Sequence, residues 1–235
     1  MNEAEPRRRP RLVGVAILAA IALIALGVIA ALSLDDGEDE PIEISGASEV
    51  QTLVGGIRQL GNRLGREDAP VAVEVFNDLQ CGECAQWQLD VIDPLIEGPV
   101  RAGEVKLLFR HYSVDQDRAT GVGGLGAVSA GLQDHQWQFV ELFFRNQDIA
   151  EDRGVVTQGF LEQVANGILN LNVEQWQRDF NAEEIRDVLE EDELRAVDLR
   201  IPSDPAVLVS GPGGSELLVE APSLEEVEAA IAQTS

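Results

Sequence analysis

The sequence predicts an α/β fold: a mixed sheet with a helical block inserted before its last two strands, preceded by one N-terminal transmembrane helix. Three observations predict it. Two apolar, β-branched runs, 71–76 and 105–110, flank a helical stretch, which is the pattern of a parallel crossover. A long middle, about 114–200, shows helical spacing and no strand signal. Two short apolar runs, 205–209 and 217–219, enclose the turn Ser210-Gly211-Pro212-Gly213-Gly214 and precede a final helix.

The elements follow in order. Residues 1–11 form a basic tail with Arg7, Arg8, Arg9 and Arg11. Residues 12–34 carry no charge, and at about 1.5 Å per residue they suffice to cross a hydrocarbon core about 30 Å thick. A cleaved signal peptide is the competing reading, but its apolar region is normally about 7–15 residues long. The arginines keep the tail in the cytoplasm and place the rest of the chain outside, where disulfides persist. Residues 35–48, with Asp35-Asp36-Gly37-Glu38-Asp39-Glu40-Pro41, read as an extended acidic linker. Residues 49–235 remain as one domain.

In that domain, 49–57 has helical spacing and 61–70 reads as a loop. The run 71–76 is almost wholly apolar, as buried central strands are. A helix is expected from Cys84 to about Ile96, with Pro94 kinking or ending it. Helices are expected over 115–145, 160–168 and 173–198, the first despite several glycines. The last begins with a capping box, Ser223-Leu224-Glu225-Glu226.

The formal net charge is −25. This excludes nucleic acid as a partner and argues against docking of the domain on anionic lipid heads. Membrane attachment is left to the N-terminal helix. Nothing in the chain implies a cofactor: no metal, nucleotide or haem motif is present.

The chemistry lies in the chain's two cysteines, Cys81-Gly82-Glu83-Cys84, at a strand-to-helix turn. The first sulfur sits at a helix N-terminus, where the dipole and free N–H groups favour the nucleophilic thiolate. The second is close enough to attack a mixed disulfide and release the partner. Two other readings stand beside thiol exchange. A structural disulfide in so small a loop adds little stability. A zinc site completed by His111 and His135 lacks any common zinc spacing. Trp87 is a candidate border for a substrate groove, and Asp78 a candidate loop cap or thiol tuner.

The segments Leu64-Gly65-Arg66-Glu67-Asp68-Ala69-Pro70-Val71 and Phe76-Asn77-Asp78-Leu79-Gln80-Cys81-Gly82-Glu83-Cys84 resemble the entry to the active site of DsbA-like thioredoxin-fold proteins of the membrane-anchored bacterial type. Leu107-Leu108-Phe109-Arg110 resembles their next strand, and 201–211 the segment carrying their cis-proline loop. The resemblance spans about 64–231. It implies a thioredoxin fold with a helical insertion and exchange of disulfides with cysteine-containing secreted or envelope proteins. It also implies a redox recycling partner, for which a membrane protein is one option. Cys81 is then the exposed nucleophile, Cys84 the buried resolving thiol, and Pro205 rather than Pro202 the cis-proline, preceded by Asp204.

Three positions depart from the family. Gly82-Glu83 replaces the Pro-His of strong oxidants, so a carboxylate opposes the thiolate. Asp204 brings a second negative charge. The buried glutamate of many relatives falls on Val75; the nearest one, Glu74, should point to the opposite face of the strand. Disulfide donation remains the favoured direction, with thiol reduction or a non-catalytic binding module as alternatives.

Overall fold

The computed structural model describes residues 43–114, 121–152 and 156–235. The basic tail, the expected membrane helix over 12–34 and most of the acidic linker lie outside these residues. Among the described residues no helix is long and apolar enough to cross a membrane.

One six-stranded sheet organises the domain. Its strands are β1 (Gln59–Leu60), β2 (Arg63–Leu64), β3 (Val71–Asn77), β4 (Val105–His111), β5 (Ala206–Gly211) and β6 (Gly214–Leu218), in the spatial order β1-β2-β4-β3-β5-β6. β3 and β4 pair in parallel, Val73 opposite Leu107 and Val75 opposite Phe109. β5 runs antiparallel to β3 on its other side, with Val75 opposite Val207. The central strands are apolar because both of their faces are covered. Val73, Val75, Leu107 and Phe109 point to one side, into the main core. Phe76 points to the other and packs against Ala196, Ala206 and Leu208.

The first helix, α1 (Ala47–Val54), is one turn shorter at its end than the spacing predicts. Gly56 takes φ +77°, which stops it. The expected loop over 61–70 contains β2, which forms a tight antiparallel pair with β1 and docks on β4. Neither two-residue strand is apolar enough to signal itself in sequence.

After β3 a helical rod runs from α2 (Gly82–Trp87) through α3 (Asp93–Leu95) to Val100. Pro94 does not end it. The backbone passes through two π-helical turns, Gln88–Ile92 and Ile96–Val100, the second of which contains Pro99. Their wider hydrogen-bonded rings leave room for the pyrrolidines and for the missing N–H groups.

The helical block contains α4 (Val122–Gly131), α5 (Gln136–Phe144), α6 (Gln147–Asp152), α7 (Gln158–Asn166), α8 (Val173–Asp179) and α9 (Glu183–Leu199). The expected helix 173–198 is thus two: buried Phe180 and extended Ala182 turn the chain between them. Trp137 ties the block to the sheet, meeting Phe109 edge-on at 5.9 Å and donating from Nε1 to the Asn62 carbonyl at 2.8 Å. The final helix, α10 (Leu224–Thr234), starts with the expected reciprocal Ser223–Glu226 capping box.

Candidate active site

β3 ends at Asn77 and hands the chain to the loop 78–81. Asp78 shapes this loop: its Oδ1 accepts from the Gln80 N–H at 2.8 Å, and its carbonyl from the Cys81 N–H at 3.2 Å. Cys81 is the N-cap residue of α2, with extended backbone, so its sulfur stands at the positive end of the rod. Cys81 and Cys84 are joined as a disulfide with their Cα atoms 5.3 Å apart. Cys81 is partly exposed and Cys84 fully buried, which sets the order in which an incoming thiolate meets them. Gly82 and Glu83 lie on the exposed rim between them.

The Asp204–Pro205 bond is cis, and Pro202 has no such bond. This loop brings an Asp204 carboxylate oxygen and both sulfurs within 4.8 Å of one another. Asp204 Oδ1 also accepts from the Val114 N–H at 3.3 Å. Of the two acidic departures from the family pattern, Asp204 is therefore the stronger influence. Glu83 is exposed, and solvent screens it.

Several neighbours carry no signal in a linear reading. Gln147, the first residue of α6, is buried and pins the loop from the helical block. Its Nε2 donates to the carbonyls of Leu79 at 2.9 Å and Cys81 at 2.8 Å. The glycines of α4 let that helix close over the same loop. A Cβ on Gly123 would stand 3.0 Å from Leu79 Cβ, and one on Gly124 2.5 Å from the His111 ring. The run Gly121-Val122-Gly123-Gly124-Leu125-Gly126 was the available clue.

His111 is buried at the end of β4, and burial holds its pKa below the usual value against the opposing pull of Asp78. Among the described residues neither histidine joins the cysteines in a metal-ligating cluster. Trp87, the candidate groove residue, packs inward. It is buried, and its Nε1 donates to the Pro222 carbonyl at 2.7 Å, tying the rod to the start of α10.

Glu74 faces away from the main core. Arg110 Nε donates to its Oε2 at 3.0 Å and Arg195 Nη2 to its Oε1 at 2.7 Å. Burial alone would raise its pKa, but the two guanidiniums outweigh burial and hold it below the usual value. A second carboxylate cluster touches the redox helix itself. Gln88, one turn past Cys84, donates from Nε2 to Glu141 Oε1 at 2.8 Å and accepts from Asn77 Nδ2 at 3.2 Å. Burial, reinforced by Asp93, pushes Glu141 up to about 8.

A family model described as thioredoxin matches residues 59–233, which is most of the chain. The chain belongs to the thioredoxin family. It is 28% identical over 203 residues to the Bacillus anthracis protein named probable disulfide bond formation protein D, covering 86% of this chain and 88% of that one. Among solved structures, oxidised BdbD from Bacillus subtilis aligns with a TM-score of 0.64 at 21% identity, covering 76% of this chain and 96% of the other. Wolbachia pipientis α-DsbA1 aligns with a TM-score of 0.60 at 17% identity, covering 79% and 94%. The fold is thus DsbA-like. Within this family, and with its cysteine pair at the head of the first core helix, the chain is a protein thiol–disulfide oxidoreductase.

Proposed function

We propose that this oxidoreductase is anchored by residues 12–34 and works on the extracytoplasmic side of the membrane, donating disulfides to cysteine-containing secreted or envelope proteins. The observation that carries this reading is the Cys81–Cys84 disulfide: its first sulfur is reachable at a helix N-terminus, its second is buried, and the cis-Pro205 segment lies alongside. The names of the relatives favour donation over reduction, since the curated ones are called disulfide bond formation proteins.

In this reading a substrate thiolate attacks Sγ of Cys81. The Cys81–Cys84 bond breaks, and Cys84 departs with the electron pair and takes up a proton. A second substrate thiolate then attacks the substrate sulfur of the mixed disulfide and expels Cys81. The substrate is oxidised by two electrons, which the pair retains as two thiols. A recycling partner, a disulfide- or quinone-linked oxidant, removes them. Asp204, Pro205, Gly82 and Glu83 shape substrate docking and thiolate stability. The backbone beside the cis-proline is free of helix and suits pairing with an extended substrate segment.

The proximity of Asp204 to both sulfurs favours a second reading, a reductase. Negative charge there opposes thiolates and destabilises the reduced pair, which lowers its reduction potential and weakens it as an oxidant; the size of that effect is measured directly by equilibration in graded glutathione buffers. A potential of about −120 to −180 mV identifies a disulfide donor, and about −270 mV or lower a reductase. Cys81→Ser is expected to abolish turnover in either direction. Cys84→Ala is expected to accumulate mixed disulfides on Cys81, and its failure to do so would leave a non-catalytic binding module.

A further inference from the structure

We propose that the reduced site is also a binding site for a thiophilic divalent cation, with Cys81 Sγ, Cys84 Sγ and a carboxylate oxygen of Asp204 as its ligands and Zn2+ as the ion it takes. The proposal rests on the pair being reduced for part of its cycle.

The geometry comes first. These three ligand atoms lie within 4.8 Å of one another. In a tetrahedral zinc site with Zn–S about 2.3 Å and Zn–O about 2.0 Å, neighbouring ligand atoms are about 3.5–3.8 Å apart. Breaking the S–S bond lets the sulfurs move apart toward that spacing, and the carboxylate needs to close by no more than about 1.3 Å. The two-residue interval between the cysteines is the usual spacing of zinc-binding pairs. The third ligand comes from a separate loop, so the site is assembled by the fold and cannot form in the unfolded chain.

The chemistry agrees. Two thiolates and a carboxylate place three negative charges in one small, half-buried space, which is costly without a cation. A divalent ion removes that repulsion and favours the deprotonated thiols. Asp204 is oriented before the ion arrives, because Val114 N–H donates to its Oδ1. Cys84 is buried and Cys81 and Asp204 are partly exposed, so three protein ligands leave one position for water. His111 and His135 take no part. Binding releases the two thiol protons to solvent and moves no electrons. It excludes the disulfide, because both sulfurs are committed to the metal. Zinc therefore holds the pair reduced and withdraws it from exchange.

The test uses the detergent-solubilised full chain, reduced with a phosphine and freed of oxygen, titrated with zinc chloride against a chromogenic chelator. One zinc per reduced chain is expected, and none for the oxidised chain in the same assay. Asp204→Asn should weaken binding at least tenfold, and Asp204→His, which returns a ligand atom, should restore most of it. Cobalt in place of zinc should give thiolate charge-transfer bands and the intense visible bands of a tetrahedral site. No zinc on the reduced wild-type chain overturns the proposal. Equal affinity of wild type and Asp204→Asn also overturns it, leaving a bare dithiol. The zinc titration needs no catalysis, whereas the functional reading is judged by mixed-disulfide trapping in Cys84→Ala, so either can fail alone.

Discussion

Two partly buried clusters of acids and arginines balance their charge differently. Glu74 and Asp192 share two arginines, Arg110 and Arg195. Glu141 and Asp93 share one, Arg145. In the first cluster Glu74 stays ionised, held below the usual carboxylate range by its two guanidiniums. Even there the more deeply buried Asp192 rises to about 6, because burial exceeds the help of Arg110. In the second the charge deficit is met by a proton, and Glu141 rises to about 8. Two carboxylates cannot both ionise cheaply beside one cation in a dry site. The acid that resembles the family's buried glutamate in sequence, Glu74, is thus fully engaged by arginines on the far face of β3. The acid that touches the redox helix through Gln88 is one from the helical block.

The largest effect should come from breaking the balanced cluster. Arg110 contacts both Glu74 and Asp192, and its side chain is only 24% exposed. Arg110→Met leaves two buried carboxylates with Arg195 alone. We expect a loss of about 3 kcal/mol at pH 7, read by urea unfolding. A loss below about 1 kcal/mol would mean that water already reaches the cluster.

The unbalanced cluster should reveal itself through pH. Glu141 binds its proton more tightly in the folded chain than in the unfolded one, where a glutamate titrates near about 4.3. Its contribution is therefore complete below about pH 4 and lost as pH rises toward about 8. Asp192 acts with the same sign but has finished by about 6. Of the two, Glu141 alone shapes the interval from pH 6 to 8. The Glu141 contribution should fall across it by an amount on the order of 1–3 kcal/mol, partly offset by His111 and His135, whose depressed pKa values add stability as pH rises past the unfolded imidazole range. Glu141→Gln keeps the neutral form and should flatten that fall, measured as melting temperature against pH. An unchanged slope would place the titration elsewhere.

A smaller loss, about 1–2 kcal/mol, is expected of Gln147→Ala, which strips two carbonyls of the active-site loop of their donor. It would be read as faster hydrogen exchange in the loop. Gln147 also marks what a linear reading can reach. The order of strands and helices is legible because apolar runs and their spacing are local properties. The strands β1 and β2 are not, since their only qualification is a place beside β4. The cysteine pair is legible from spacing alone. The approach of Asp204, more than a hundred residues later, enters only through family resemblance, and Gln147 not at all. The glycines of α4 were visible but read as a weakness of a helix. In the fold they are the contact surface that closes on Leu79 and His111.

The smallest expected effect, one on the reduction potential, is the sharpest test of the contrast between the clusters. If Glu74 belongs to the far face, Glu74→Gln should cost stability but leave the sulfurs untouched. The amide cannot neutralise Arg110 and Arg195, so a loss of about 1–3 kcal/mol is expected at neutral pH. That loss should shrink in acid, because a carboxylate held low contributes stability above its unfolded pKa and loses it as pH falls through the folded one. The reduction potential should stay within about 10 mV of wild type, since about 30 mV already corresponds to about 1.4 kcal/mol of coupling. Glu74 shares its face with Phe76 and Leu208, whereas Cys84 packs with Val73 and Val75 in the core on the other side. A shift of 30 mV or more would mean that charge on the far face is felt through the strand, and the division of labour between the two clusters would fail.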